Sequence, residues 1–425
     1  MYSTPPTIQP ATLAFRKPES SVMPNGVPLD IIHASGLDAL RVDFVFAAGH
    51  RHQTHKLQAF FANRMLREGC RGYSAASFAE RLDYYGAWLE LSSSVQHSYV
   101  TLYTLKKHAT HTLELVHRML TEPTYDADQF STLCANNKAH LQVRLRKGNV
   151  IGMRALRQHI YGADHPCGMY AQPEDYDLLP LAEVQHFYHC HYGSRTCHMY
   201  LSGDVDSTLI AHVEQLFGTH EWGSGIPMPL GELPPAAGQA PGHQVIINPG
   251  ALQDSLFLGT PLMDVHHADY IPMRVLTTVL GGYFGSRLMK NVRETKGYTY
   301  HIGADLLSNT SQVLLVVYCE GQAGKADDII TEVHQEMLRL HREPVPDAEL
   351  RMVLNYLSGD MCRSYESAFA LTDAYILLST IGLSQTHLDD IAHVIRTIDS
   401  TRLQQLAQQY LHPENLYSVV VKGEI

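Results

Sequence analysis

No stretch of this chain approaches the ~20 consecutive apolar residues that a membrane-crossing helix needs. Basic residues are also in short supply: 32 Lys and Arg stand against 43 Asp and Glu, a net charge of −11. A nucleic-acid or anionic-membrane partner needs a basic face, and no basic stripe interleaved with aromatics occurs. Only seven cysteines are present, Cys70, Cys134, Cys167, Cys190, Cys197, Cys319 and Cys362, scattered and without a Cys-x-x-Cys pair. That pattern fits a reducing compartment better than a disulfide framework. The opening residues 1–9 have neither a basic head nor an apolar run, so no signal peptide is expected and the expected home is the cytoplasm. His-x-x-Glu-His, His-Glu-x-x-His, a Gly-x-Ser-x-Gly elbow and a P-loop are all missing.

What is present is ample material for cores. At 425 residues, 45% hydrophobic and 18% charged, the chain is long enough for two or more domains. Residues 1–22 look like an arm. Alternation predicts strands over 27–32 and 40–46, and apolar spacing predicts helices over 56–67 and 77–85, stopped by Gly69 and Gly86. Residues 88–105 alternate as a hairpin. Helices are expected over 108–120, 126–146 and 178–192, a strand over 197–204 and a further helix over 207–217. Between 223 and 242 Gly, Pro and Ala dominate and periodicity vanishes, which marks a linker.

After the linker the order repeats. Strands are expected over 244–248 and 255–260, a helix over 270–280, and paired strands over 298–306 and 313–320. Helices follow over 325–341, 349–361, 367–381, 387–394 and 400–410, with a closing strand over 416–422. The shared programme implies duplication of an α+β unit about 200 residues long. The halves are 1–222 and 243–425, each an antiparallel-rich sheet with helices on one face.

The most distinctive stretch is Gly281-Gly282-Tyr283-Phe284-Gly285-Ser286-Arg287-Leu288, leading into Arg293-Glu294-Thr295-Lys296-Gly297-Tyr298-Thr299-Tyr300. A small-residue turn opens a helical run that stops at Gly297 and becomes a strand. Arg293 and Tyr300 then stand on a helix end and the next strand, where both can reach one space. A guanidinium offers a rigid fork to a peptide carbonyl, and a phenol a donor to a developing oxyanion. The competing structural reading is a helix-capping Arg and a core Tyr.

With 26 histidines, metal sites must be weighed, above all His50/His52/His55 in a loop and His186/His189/His191 near a helix end. Neither cluster carries a His-x-x-Glu-His or His-Glu-x-x-His spacing, so neither is expected to form a tetrahedral site.

These residues together resemble the insulinase/pitrilysin family of zinc peptidases, in the branch of the mitochondrial processing peptidase. The resemblance runs from about Gly26 to Gly423. It rests on Leu280-Gly281-Gly282 through Ser286-Arg287-Leu288, on Arg293-Glu294 with Gly297 and Tyr300, and on His165-Pro166 with Gly168. Phe187 and Tyr192 before Leu201-Ser202-Gly203-Asp204 also fit. The resemblance implies half of a clamshell, two such chains enclosing one chamber, in which Arg293 and Tyr300 bind substrate and assist catalysis. It also exposes a departure. The positions of the family's inverted zinc motif hold Phe60, Phe61, Ala62, Asn63 and Arg64, so two imidazoles and the general base are replaced by Phe60, Arg64 and Asn63. The third ligand would fall near Ala139-His140, where no carboxylate stands, and Glu90 replaces the usual Asn beside the substrate strand. Zinc needs deprotonated, convergent donors, and an Arg places a fixed positive charge among them.

The resemblance therefore implies a chain without a metal or other cofactor of its own, paired with a zinc-bearing subunit that acts on an extended peptide. A self-associated peptide-binding or scaffold protein, and a self-sufficient metalloenzyme using the extra histidines, are the alternatives.

Overall fold

The structure, a computed structural model, describes residues 15–227, 233–308, 310 and 312–423. The alternating segments of the first half form a six-stranded sheet. Its order is Glu19–Val22, Pro28–His33, Cys197–Gly203, Ala39–Phe46, Ser98–Leu105 and Trp88–Ser93. Neighbours are antiparallel except Pro28–His33 beside Cys197–Gly203, which run parallel. The second half forms a five-stranded sheet: Thr299–Leu307, Gln312–Gln322, Gln253–Asp264, Tyr417–Lys422 and His243–Ile247. Its parallel pair is again the opening strand beside the closing one, His243–Ile247 with Tyr417–Lys422. Read from opposite edges the two sheets have one topology, apart from the added Glu19–Val22. The duplication expected from the sequence is therefore built into the strand order. The segment expected to be a plain arm, 1–22, supplies that added strand through residues 19–22, and 1–14 lie outside the described residues.

One face of each sheet is covered by its own helices. In the first half, Phe44 and Phe46 of the sheet pack with Phe61 of helix Gln58–Arg64 and with Leu113 and Val116 of helix Ala109–Thr121, all fully buried. In the second, Leu258 and Val317 pack with Leu276, Val333 and Leu406 from helices Tyr270–Thr277, Ala326–Arg342 and Ser400–Tyr410. Burying a side chain of this size removes about 1.5–3 kcal/mol of apolar exposure.

The opposite faces are covered by exchange between halves. Helix Gly148–Tyr161, to which the sequence periodicity assigned nothing, lies on the second sheet. Its Leu156, Ile160 and Tyr161 join Phe257, Leu314, Val316, Val419 and Val421 in one cluster. Its glycines make the approach possible: a Cβ at Gly152 would stand 2.4 Å from the Phe257 ring, and one at Gly148 2.4 Å from Ser255 Oγ. Reciprocally, helix Ala368–Thr380 lies on the first sheet, where Ile376 packs with Val45 and Tyr200. Arg41 and Asp43 are fixed beneath it. Arg41 grips the Asp43 carboxylate through Nε at 2.9 Å, reaches Asp373 at 2.6 Å and donates to the Phe369 carbonyl at 3.1 Å. The boundary at 223–242 thus divides the sequence, while the packing crosses it in both directions. Among the described residues no helix is long and apolar enough to cross a membrane.

Candidate functional site

Helix Tyr270–Thr277 widens into a π-type turn over Thr278–Gly282 and stops against strand Thr299–Leu307. Gly281 permits that contact, because a Cβ there would sit 2.6 Å from Ala304 N. Tyr283 then stacks on Tyr356 with ring centres 5.0 Å apart. Arg287 is pinned to helix Asp347–Ser364 by a bidentate pair with Glu349, at 3.0 and 2.9 Å. Such a fork fixes the direction of the segment as well as its position.

The next helical segment, Met289–Thr295, ends as Gly297 takes φ +66°, a left-handed value that favours glycine. Arg293 lies on this segment, half-buried, with its guanidinium 4.6 Å from the ring centre of Phe284. Among the described residues it has no carboxylate partner. A β-bulge between Thr299 and His301 follows, closed by Thr299 Oγ1, which accepts from His301 N at 3.0 Å. The bulge leaves Tyr300 outside the ladder on an edge strand, with 83% of its surface exposed. The core part of the capping-and-core reading does not describe Tyr300, which is exposed, whereas Arg293 does stand in the last turn of its helical segment. Among the described residues no hydrogen bond or ring contact joins them, and neither lines a cavity; only Phe284, beneath Arg293, borders one, of about 460 Å³.

The residues that the resemblance sets at the zinc-motif positions form a different environment. On helix Gln58–Arg64, the Arg64 guanidinium lies 5.5 Å from the ring centre of Phe60, and Asn63, 1% exposed, donates from Nδ2 to the Tyr99 carbonyl at 3.1 Å. Phe60 has no donor atom, Arg64 is cationic, and the Asn63 amide is engaged on the sheet. This set does not fit zinc. Ala139 and His140 both face solvent on helix Ala127–Arg144, and Glu90 is exposed on the edge strand Trp88–Ser93.

The two histidine clusters, remote in sequence, meet in space. His52 stacks on His191 with ring centres 5.3 Å apart, and His191 packs on Phe187 at 4.3 Å. His52 Nε2, His97 Nδ1 and His191 Nδ1 are buried without a hydrogen-bond partner. Burial, reinforced by neighbouring imidazoles, lowers His97 and His191 to about 4. These rings are packed as neutral groups. Among the described residues no three His, Cys, Asp or Glu side chains converge in an arrangement that could hold a metal ion.

Two features of the site have no separate sequence signal. Phe284 looks like one more apolar residue of a glycine-rich turn until its ring is found beneath Arg293. The Arg287–Glu349 fork joins residues far apart in the chain.

Comparison with known proteins follows the same lines. Residues 179–357 match the family model described as peptidase M16 inactive domain. The uncharacterized zinc protease YmxG of Bacillus subtilis is 21% identical over 399 residues, covering 91% of this chain and 93% of that protein. A solved peptidase M16 inactive domain from Pseudomonas fluorescens superposes with a TM-score of 0.85 at 19% identity, covering 96% of this chain and 98% of that one. The periplasmic protease PqqL of Escherichia coli gives 0.79 at 12% identity, and the match covers 97% of this chain but 46% of that one.

Proposed function

We propose that this chain, which is similar to the M16 inactive domain over residues 179–357 and to YmxG over most of its length, is a non-zinc subunit of a two-chain metallopeptidase, supplying Arg293 and Tyr300 across a shared chamber. What supports this reading is an asymmetry. Phe60, Asn63 and Arg64 are tied up with one another or with the sheet, whereas Arg293 lacks an ion pair and Tyr300 is 83% exposed. A stack of cation on exposed aromatic holds the guanidinium pointing outward while leaving its N–H donors free for peptide carbonyls. The phenol, pushed off the ladder by the bulge, is free to donate.

In this reading the partner subunit holds the zinc and its attacking water, and binds an extended peptide along a sheet edge. Tyr300 donates to the scissile carbonyl oxygen as negative charge grows there, and Arg293 fixes a neighbouring carbonyl. All seven cysteines are free, in keeping with a cytoplasmic location.

The test is reconstitution with a partner that bears His-x-x-Glu-His, followed by peptide cleavage assays. Adding this chain should raise the partner's rate, and Tyr300→Phe should lower the assembled rate by ~10²–10³. A partner equally active alone, or a fully active Tyr300→Phe assembly, contradicts the proposal. Self-association with peptide binding and no response to any such partner would favour the homodimeric scaffold.

A further inference from the structure

Three cavities share walls between the two halves. The one beside Phe284, about 460 Å³, shares Tyr318 with a second of about 600 Å³, which is lined by Leu141, Met153 and Phe257. That second cavity shares Tyr170 with a third of about 400 Å³, bordered by His97 and Tyr99, and the third shares Ser308 with the first. The lining is rich in tyrosine and carries an unexpected charge. Arg274 borders the first cavity, Arg144 and Arg154 the second, and Arg157 the third.

Other buried or half-buried arginines meet carboxylates, Arg41 with Asp43, Arg287 with Glu349 and Arg402 with Asp269, while Arg64 stacks on Phe60. The four cavity arginines have no ion pair among the described residues. Arg154 donates only to the Ala171 carbonyl and stacks on Tyr170, 4.9 Å from its ring centre. Two carboxylates share the lining, Asp305 and Asp360, and Asp360 is already held by Arg363 at 2.6 Å. Arg293, also without an ion pair among the described residues, lies outside these cavities but against Phe284, which lines the first.

A chain with net charge −11 has acidic side chains to spare, yet leaves these guanidiniums without ion pairs around three adjoining cavities, with Asp305 near Arg274 and the Tyr170 hydroxyl on Arg157 as their polar neighbours. Partly desolvated cations without ion pairs favour an anionic occupant that replaces the missing carboxylates. We propose that this cavity system selects extended peptides rich in Asp and Glu, with aromatic or aliphatic side chains between the acids. The arginines pair with the peptide's carboxylates, and the tyrosine-lined walls take its apolar side chains. The inference rests on the peptide-binding reading above and specifies its substrate class.

Isothermal titration of the full chain with three synthetic peptides tests it. The peptides have equal length and aromatic content, and net negative, zero or positive charge. The acidic peptide should bind about tenfold or more tighter than the basic one at low salt, a difference that two partly screened ion pairs supply. Raising salt from about 50 mM to about 500 mM should erase most of that margin. Arg154→Gln with Arg274→Gln should remove most of the preference while the thermal melt stays cooperative. Should those variants unfold, the salt dependence of the unaltered chain still decides the matter. Equal binding of all three peptides, or preference for the basic one, overturns the inference and leaves peptide capture standing. Absence of binding by all three overturns both.

Discussion

The guanidinium of Arg293 rests over the ring of Phe284, 4.6 Å from its centre, although nine positions of chain and a change from turn to helix separate the two residues. The ring lines a cavity of about 460 Å³, and in the proposed peptide-binding reading the stack holds a cation beside that space. Phe284→Ala should lower kcat/KM of the reconstituted pair by about 2–5-fold, the value of an exposed cation–π contact. Phe284→Tyr should retain it. Because Phe284 is 64% exposed, the melting temperature should not move with either change, and differential scanning calorimetry checks that.

The exchange of helices between halves predicts an asymmetry among glycines. Gly152→Ala drives a Cβ to within 2.4 Å of the Phe257 ring and should destabilise the chain by about 1–3 kcal/mol, as overpacking does. Gly359→Ala, on helix Asp347–Ser364 with nothing within 4 Å, should stabilise by about 0.5–1 kcal/mol. Urea unfolding of the two variants side by side measures the contrast. Equal effects would mean that Gly148–Tyr161 is not seated on the second sheet.

Beneath the other exchanged helix, Arg41 and Asp43 are 5% and 2% exposed. Removing Asp43 leaves the buried Arg41 with only the exposed Asp373 and the Phe369 carbonyl, so Asp43→Ala should cost about 1–3 kcal/mol, with Thr101 Oγ1 also losing its acceptor. Arg41→Met combined with Asp43→Leu should recover most of that loss, because no unpaired charge remains. A double-mutant cycle on unfolding free energy decides it.

The histidine cluster predicts acid sensitivity. His97 and His191 titrate near 4 when folded and near 6.5 when unfolded, so below about 6.5 the unfolded chain binds more protons. Their contribution is complete above pH 6.5 and is lost as pH falls through 6.5 toward 4. Each group adds up to about 1.4 kcal/mol per pH unit to the slope in that window. Unfolding free energies of His97→Phe and His191→Phe across pH 4–7 should show shallower slopes than the parent chain. An unchanged slope would place the proton uptake elsewhere.

Several elements were legible without coordinates because their causes are local. Alternation in 40–46 and 88–105 specified strands Ala39–Phe46, Trp88–Ser93 and Ser98–Leu105, and the repeated order of segments specified two like sheets. Gly297 announced the end of the segment that bears Arg293 through its need for positive φ. Helix Gly148–Tyr161 was not legible, because its glycines weaken helix propensity and answer to the Phe257 ring in the other half. Arg41 and Asp43 show the same limit. Alternating with apolar residues they resemble a solvent face, and they are buried only because a helix some 330 positions later covers them.

The sequence by itself determined the duplicated α+β programme and the unsuitability of Phe60 and Arg64 as metal donors, since periodicity and side-chain chemistry belong to each residue. Only the tertiary structure decided which helix covers which sheet, which arginines lack a carboxylate, and that Tyr300 stands out from a bulged edge. Those outcomes depend on contacts between segments far apart in the chain, and contact energies of that kind have no periodic trace along it.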